Sequence, residues 1–274
     1  MSSTSTPIFL HKISLSKPLI GTGWKSISLV DVYGSVTFTL WLCGCNLKCP
    51  FCHNWRLATN DKSMCKPLNI ELLIDELFSS ISFIDYLHIT GGEPLVQYRA
   101  LEEFLQYIKN GVDVKISLNT NLTLFKPFKR LLEKELLDHV ATDLKIPFKE
   151  LIGYNTDIAN TLWRQYLKSL RLIVDYNIPL ELRIPVSYLL IKMLDHLVEL
   201  REVLNILNHY SKYYVIIEPL LGEPITTPRS NDWCKKYCNP SQNELIRIKN
   251  RLIELGFRRV YTKNPLGDLR VGPE

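Results

Sequence analysis

No run among these 274 residues is apolar and long enough to span a bilayer, and no h-region of an export signal follows the first methionine. The opening Met1-Ser2-Ser3-Thr4-Ser5-Thr6-Pro7 is polar and reads as a loose start. These absences set the expectation of a cytoplasmic protein without membrane contact. A strong charge excess is missing too. Lys and Arg number 33 against 28 Asp and Glu, and a net charge of +5 is too small to choose between an acidic protein partner, RNA and a plain solvated surface. Low-complexity stretches and repeats of fixed period are absent, which sets aside array architectures. With 46% apolar and 22% charged residues, the chain can bury one sizeable core, with or without a small appendage. Cysteine is not scarce. Seven of them in a reducing compartment argue for metal binding or free thiols rather than a disulfide framework.

Three of the seven stand in Gly44-Cys45-Asn46-Leu47-Lys48-Cys49-Pro50-Phe51-Cys52-His53-Asn54. The spacing C-x3-C-x2-C crowds three thiolates into one short loop. Such a set can hold three irons of a cubane [4Fe-4S] cluster and leave the fourth iron without a protein ligand. Other readings exist. Cys49 to His53 matches C-x-x-C-H, the attachment signal of c-type haem, but that chemistry belongs outside the cytoplasm. A Cys3His zinc site would use His53, yet adjacent Cys52 and His53 are awkward ligands for one tetrahedral ion. Ordinary core cysteines would hardly cluster in this way.

Strand-like and helix-like periodicities alternate along the chain, which predicts an α/β fold with a largely parallel sheet. Strands are expected at 36–42, 86–89, 112–118, 139–142, 180–186 and 214–218. Helices are expected after Asn69, over 98–109, from near Pro127, within 160–176 and over 193–210. Six βα units are fewer than a closed eight-stranded barrel needs, so they predict a partial, open (β/α)6 TIM-like barrel with a wide lateral mouth. A C-terminal extension should follow Gly222. Its helix opens on the capping box Ser241 to Glu244, and a strand spans 257–261. Cys234 and Cys238 precede that helix. Together with Cys43 and Cys65 they read as thiols with packing or local redox roles rather than as a second metal site. Alternation faces Cys43 the same way as Cys45.

Active sites of parallel α/β folds assemble where the strands end. The first predicted strand runs into the cysteine loop, and the second into Thr90-Gly91-Gly92-Glu93-Pro94. The third ends in Asn119-Thr120-Asn121 and the fourth in Asp143-Leu144-Lys145. Arg183 lies inside the fifth, and the sixth ends in Glu218-Pro219. Polar or metal-binding groups thus gather at one rim.

The cysteine loop resembles the signature of the radical SAM superfamily. The context from Ser28 to Gly34, then Gly44-Cys45-Asn46 and Cys52-His53-Asn54, is similar to its glycyl-radical-enzyme activating branch, the activators of anaerobic ribonucleotide reductase and of pyruvate formate-lyase. The resemblance implies a core over 28–222, between an N-terminal segment 1–27 and the extension 223–274. It implies that Cys45, Cys49 and Cys52 hold a [4Fe-4S] cluster at which S-adenosylmethionine is cleaved to a 5′-deoxyadenosyl radical. Gly91 and Gly92 would receive the methionine amino group, while Glu93 ties strand ends together. Thr120 and Asn121 would meet the ribose and carboxylate, and Phe51 would pack on adenine. Asp143 and Lys145, on one strand face, would share the ligand, a surface ion pair being the alternative. Arg183 would face the cofactor carboxylate, against a structural ion pair with Glu181 or Asp143. Two departures stand out: Asn119 and Leu122 replace the Asp and Gly of an Asp-Thr-Asn-Gly pattern, and no His follows Pro219. The implied partners are a glycyl-radical enzyme and an electron donor such as ferredoxin or flavodoxin. A small molecule, a peptide or RNA remains the alternative substrate, and a non-catalytic zinc or iron-sulfur protein the alternative class.

Overall fold

A computed structural model describes residues 13, 15–263 and 269–270. Its strands are β1 (Ile20–Ser28), β2 (Thr37–Leu42), β3 (Lys66–Pro67), β4 (Tyr86–Gly91), β5 (Lys115–Asn119), β6 (His139–Asp143), β7 (Leu180–Val186), β8 (Tyr213–Pro219), β9 (Val260–Lys263) and β10 (Leu269–Arg270). They form one sheet in the order β10-β9-β8-β7-β6-β5-β4-β2-β1-β3, with β3 and β10 at its edges, so the barrel stays open. The six expected strands are β2 and β4 to β8, all parallel, and β9 adds a seventh parallel strand.

Period-two alternation sorts the side chains. Leu87, Ile89, Ile116, Leu118, Val140, Leu182 and Ile184 are fully buried under the helices. The alternate positions turn into the barrel and are mostly polar. Thr39, His88, Ser117 and His139 share one rung across four strands. The next rungs hold Ala141, Glu181 and Tyr214, then Asp143, Arg183 and Ile216.

Local chemistry sets the helix ends. The Asn69 side chain accepts from the Leu72 N–H and caps Ile70–Ser80, and Asn155 does the same for Thr156–Asp175. The Ser241–Glu244 box is formed, and Gly256 closes its helix at φ 109°.

Three expectations need correction. The helix expected over 193–210 is broken into Tyr188–Met193, a 3-10 turn at Leu194–His196 and Val198–Leu207. Ser187 caps the first piece, so helix begins straight after β7. The final strand is Val260–Lys263 rather than 257–261, because Arg259 takes the left-handed region at φ 50° and pairing with β8 begins only at Val260. β1 pairs antiparallel with β2. Finally, four cysteines form two disulfides, Cys43–Cys65 and Cys234–Cys238. Sequence spacing could not bring Cys65 to Cys43. The pairing of β3 with β1 and of β1 with β2 does so, leaving their Cα atoms 6.1 Å apart. Cys43 is therefore directed at Cys65 and not toward the three-cysteine loop. Cys234 and Cys238 bond across one helical turn, at a Cα separation of 4.8 Å.

No helix among the described residues is long and apolar enough to cross a membrane.

Candidate active site

A cavity of about 460 Å³ opens at the C-terminal ends of β2 and β4 to β8. One wall is the cysteine loop, with Cys45, Cys49, Phe51 and Cys52. The facing walls carry Gly91, Gly92, Thr120, Asn121, Asp143, Lys145 and Arg183. Every residue proposed from the sequence except Glu93 lines this one space.

Glu93 lies beneath it, fully buried. Its carboxylate accepts from the Asn121 N–H at 2.6 Å, the Thr120 hydroxyl at 2.8 Å and the Leu95 N–H at 3.1 Å, and so ties the end of β4 to that of β5. Burial pushes its carboxyl up against the pull of these donors. Gly91 and Gly92 expose backbone to the cavity, but what excludes a side chain is the opposite face. A Cβ on Gly91 would stand 2.1 Å from the Leu42 carbonyl oxygen, and one on Gly92 2.2 Å from that of Gly44. The Glu93 N–H donates to the same Gly44 oxygen at 2.7 Å. The two glycines thus press the second strand end against the start of the cysteine loop.

The loop is gripped from three sides. The Asn121 amide donates to the Asn46 side chain at 2.9 Å and reaches Cys45 Sγ at 4.0 Å. Tyr154 donates to the Asn46 carbonyl at 2.9 Å, and the Lys48 N–H to the Ile152 carbonyl at 3.0 Å. From the extension, the N–H groups of Arg229 and Ser230 donate to the carbonyls of Cys52 and Pro50 at 3.0 and 2.9 Å. Cys49 and Phe51 belong to a second, smaller core with Phe148, Leu151, Cys234 and Cys238. Sequence reasoning missed Tyr154, Arg229 and Trp233, which lie far along the chain and match no local motif.

Cys45, Cys49 and Cys52 are the unbonded cysteines among the described residues. Burial pushes the Cys45 thiol up to about 11 and that of Cys49 to about 12, and raises Cys52 as well. Buried thiolates need a cation beside them, and three soft donors on one cavity wall fit a multi-iron group. Lys145 favours the thiolates of all three, and Arg229 that of Cys52.

Lys145 Nζ stands 2.9 Å from Asp143 Oδ2. The two pair within the cavity wall. Burial drives the Asp143 carboxyl up, yet Lys145 and Arg183 outweigh it and hold the group below its usual value. Arg183 Nε lies 2.5 Å from Glu181 Oε1 and 3.9 Å from Glu218 Oε1, while its Nη2 donates to the Asp31 carbonyl. The structural ion pair with Glu181, expected as the lesser alternative, is therefore present, because Glu181 sits one rung below and turns the same way. Phe51 meets Trp233 with ring centroids 5.9 Å apart while also lining the cavity. Asn119 donates to Thr90 at 3.0 Å, and Leu122 occupies the left-handed region at φ 56°, where the family pattern has glycine.

This constellation of three thiols, glycine turn and polar strand ends on an open parallel barrel defines an iron-sulfur enzyme architecture. The sequence profile of the Radical SAM superfamily matches residues 40–204, more than half of the chain, and the protein belongs to that family. The family's cofactors are a [4Fe-4S] cluster and S-adenosylmethionine. A candidate glycyl-radical enzyme activating enzyme of Methanocaldococcus jannaschii is 32% identical over 168 residues, 59% of this chain and 66% of that one. The 7-carboxy-7-deazaguanine synthase of Hyperthermus butylicus is 31% identical over 37% of this chain and 45% of its own. The chain therefore spans less than two thirds of the length of these relatives. The crystal structure of Streptococcus suis SuiB shares the fold at a TM-score of 0.51 and 13% identity, covering 81% of this chain and 47% of that one.

Proposed function

We propose that the protein reductively cleaves S-adenosylmethionine and passes the radical to a glycine of a partner glycyl-radical enzyme. The observation that carries the first half is the three-thiol loop forming one wall of the cavity at the ends of the parallel strands. The second half rests on the 32% identity to the candidate activating enzyme. A small molecule is the second reading, supported by the 31% identity to the deazaguanine synthase.

When bound, the cluster supplies the electron that splits the sulfonium into methionine and a 5′-deoxyadenosyl radical. The chain's own residues do the rest. Cys45, Cys49 and Cys52 hold the cluster, and the carbonyls around Gly91 and Gly92 receive an ammonium. Lys145 offers its charge to the thiolates and to a carboxylate, and Asp143 keeps Lys145 in place. Thr120 and Asn121, fixed by Glu93, form the ribose wall, with Phe51 beside the base. Arg183, already held by Glu181, acts through charge on the cavity floor rather than as a free hand for the cofactor. The half-buried walls keep water from a reactive radical. An electron donor such as ferredoxin or flavodoxin would complete the cycle.

The test is anaerobic reconstitution. Wild-type protein should hold about four irons per chain and release 5′-deoxyadenosine when reduced with S-adenosylmethionine. Cys45→Ala, Cys49→Ala and Cys52→Ala should each lose the cluster and that product. Cleavage retained in any of the three would sink the assignment. Deuterium passing from a glycine-labelled partner into 5′-deoxyadenosine separates the two substrate readings.

A further inference from the structure

Arg229 belongs to the C-terminal extension, outside the span matched by the family profile. Its backbone is nevertheless part of the cysteine loop's support. The Arg229 N–H donates to the Cys52 carbonyl at 3.0 Å, and the next residue, Ser230, donates to the Pro50 carbonyl at 2.9 Å. Ser230 then caps the helix Asn231–Tyr237, whose Trp233 lies on Phe51. The strap therefore holds the loop through backbone and rings alone, which leaves the Arg229 side chain free of that task. Its Nε is buried and has no hydrogen-bond partner, and the guanidinium forms no ion pair among the described residues. A buried guanidinium nitrogen without an acceptor is costly, and native proteins normally satisfy it. The backbone contact sets Arg229 beside Cys52, and its charge favours the Cys52 thiolate.

We propose that Arg229 is a positioning residue that sets the reduction potential of the cluster held at Cys52, and that the extension exists partly to supply it. The proposal rests on the radical SAM reading. Reduction adds one electron to a cluster already ringed by three thiolates. A positive charge beside the cluster stabilises the reduced form more than the oxidised one and raises the potential. Hydrogen bonds to cluster sulfurs act in the same direction. Both effects suit a cluster that must accept an electron before it can give one to S-adenosylmethionine.

The experiment is an anaerobic redox titration of reconstituted wild-type, Arg229→Gln and Arg229→Lys protein, followed by the electron-spin signal of the reduced cluster. Arg229→Gln should be about tenfold less reduced at fixed poise, a shift of about 59 mV for a one-electron couple. Arg229→Lys, which keeps the charge, should titrate close to wild type, with about four irons per chain in all three. A Gln variant that titrates with wild type, or Gln and Lys variants shifted equally, would overturn the proposal. So would a Gln variant that holds no iron, since Arg229 would then be needed to build the site and not to tune it. Wild-type protein that assembles no cluster would sink the family reading and Arg229 with it; an intact wild-type cluster beside an unshifted Gln variant would sink Arg229 alone.

Discussion

Lys145 and Asp143 meet at 2.9 Å inside the cavity wall, so each is already paired before any ligand arrives. A paired, oriented charge loses less freedom on binding than a loose one. Removing either partner costs the ligand contact and also leaves the other charge exposed to a poorly solvated site. A hydrogen bond to a charged group is worth roughly 1.5–3 kcal/mol. Lys145→Ala and Asp143→Ala should therefore each weaken S-adenosylmethionine binding by about ten- to a hundred-fold, measured by equilibrium dialysis of cluster-loaded protein. Asp143→Ala should keep about four irons, because its carboxylate faces Lys145 rather than the thiols. Unchanged affinity in both variants would reduce the pair to a structural role. Leu122 makes the same point about context. Its left-handed backbone is unfavourable for a branched side chain, yet the residue is fully buried, and burial outweighs the local strain.

Between strands, the polar rung inside the barrel carries a pH dependence. Ser117 Oγ bridges His88 Nδ1 at 2.9 Å and His139 Nδ1 at 2.8 Å, so its hydroxyl donates to one ring and accepts from the other. Burial lowers the affinity of both rings for protons, taking His139 down to about 4; Arg183 opposes protonation of both, and Glu181 favours it, as does Asp31 at His88. Both rings are therefore neutral in the fold, whereas a histidine of the unfolded chain titrates near about 6.5. Below that value the unfolded chain binds more protons than the folded one, so stability falls as the pH drops. The loss continues until the folded rings titrate, near 4 for His139. Each ring contributes at most about 1.4 kcal/mol per pH unit in that window. Chemical denaturation from pH 7 to pH 4.5 should show this slope, and His139→Gln should flatten it. Equal slopes in the two proteins would mean that His139 is not held neutral by the fold.

At the scale of the whole molecule, the cysteine loop is fastened by distant parts of the chain. The Cys43–Cys65 disulfide brackets all three free cysteines within its 22-residue separation. The segment around Tyr154 and the strap at Arg229 grip the loop itself. Iron-free protein denatured without reductant should therefore expose three thiols to alkylation, and seven after reduction. Mass spectrometry counts the labels, and seven labels before reduction would rule out both disulfides. Opening the Cys43–Cys65 ring by Cys65→Ser should cost roughly 3 kcal/mol of stability through the freed unfolded chain, read from denaturant midpoints.

Much of this was legible along the chain. The six parallel strands came from local runs of apolar and β-branched residues, and β7 falls where those runs place it. The cysteine spacing, the glycine turn and the polar strand ends are each contained within a few residues. A parallel sheet has no choice but to bring such ends to one rim, which is why these residues line one cavity. What only the tertiary structure decided depends on pairs far apart in sequence. Cys43 meets Cys65 because strands before and after them pair. Arg183 faces Glu181 and Glu218 because of rung position, and Arg229 comes back to Cys52 across most of the chain. Local pattern records which face a residue takes. It carries no record of which distant face will meet it, because that is settled by packing of whole elements around a shared core.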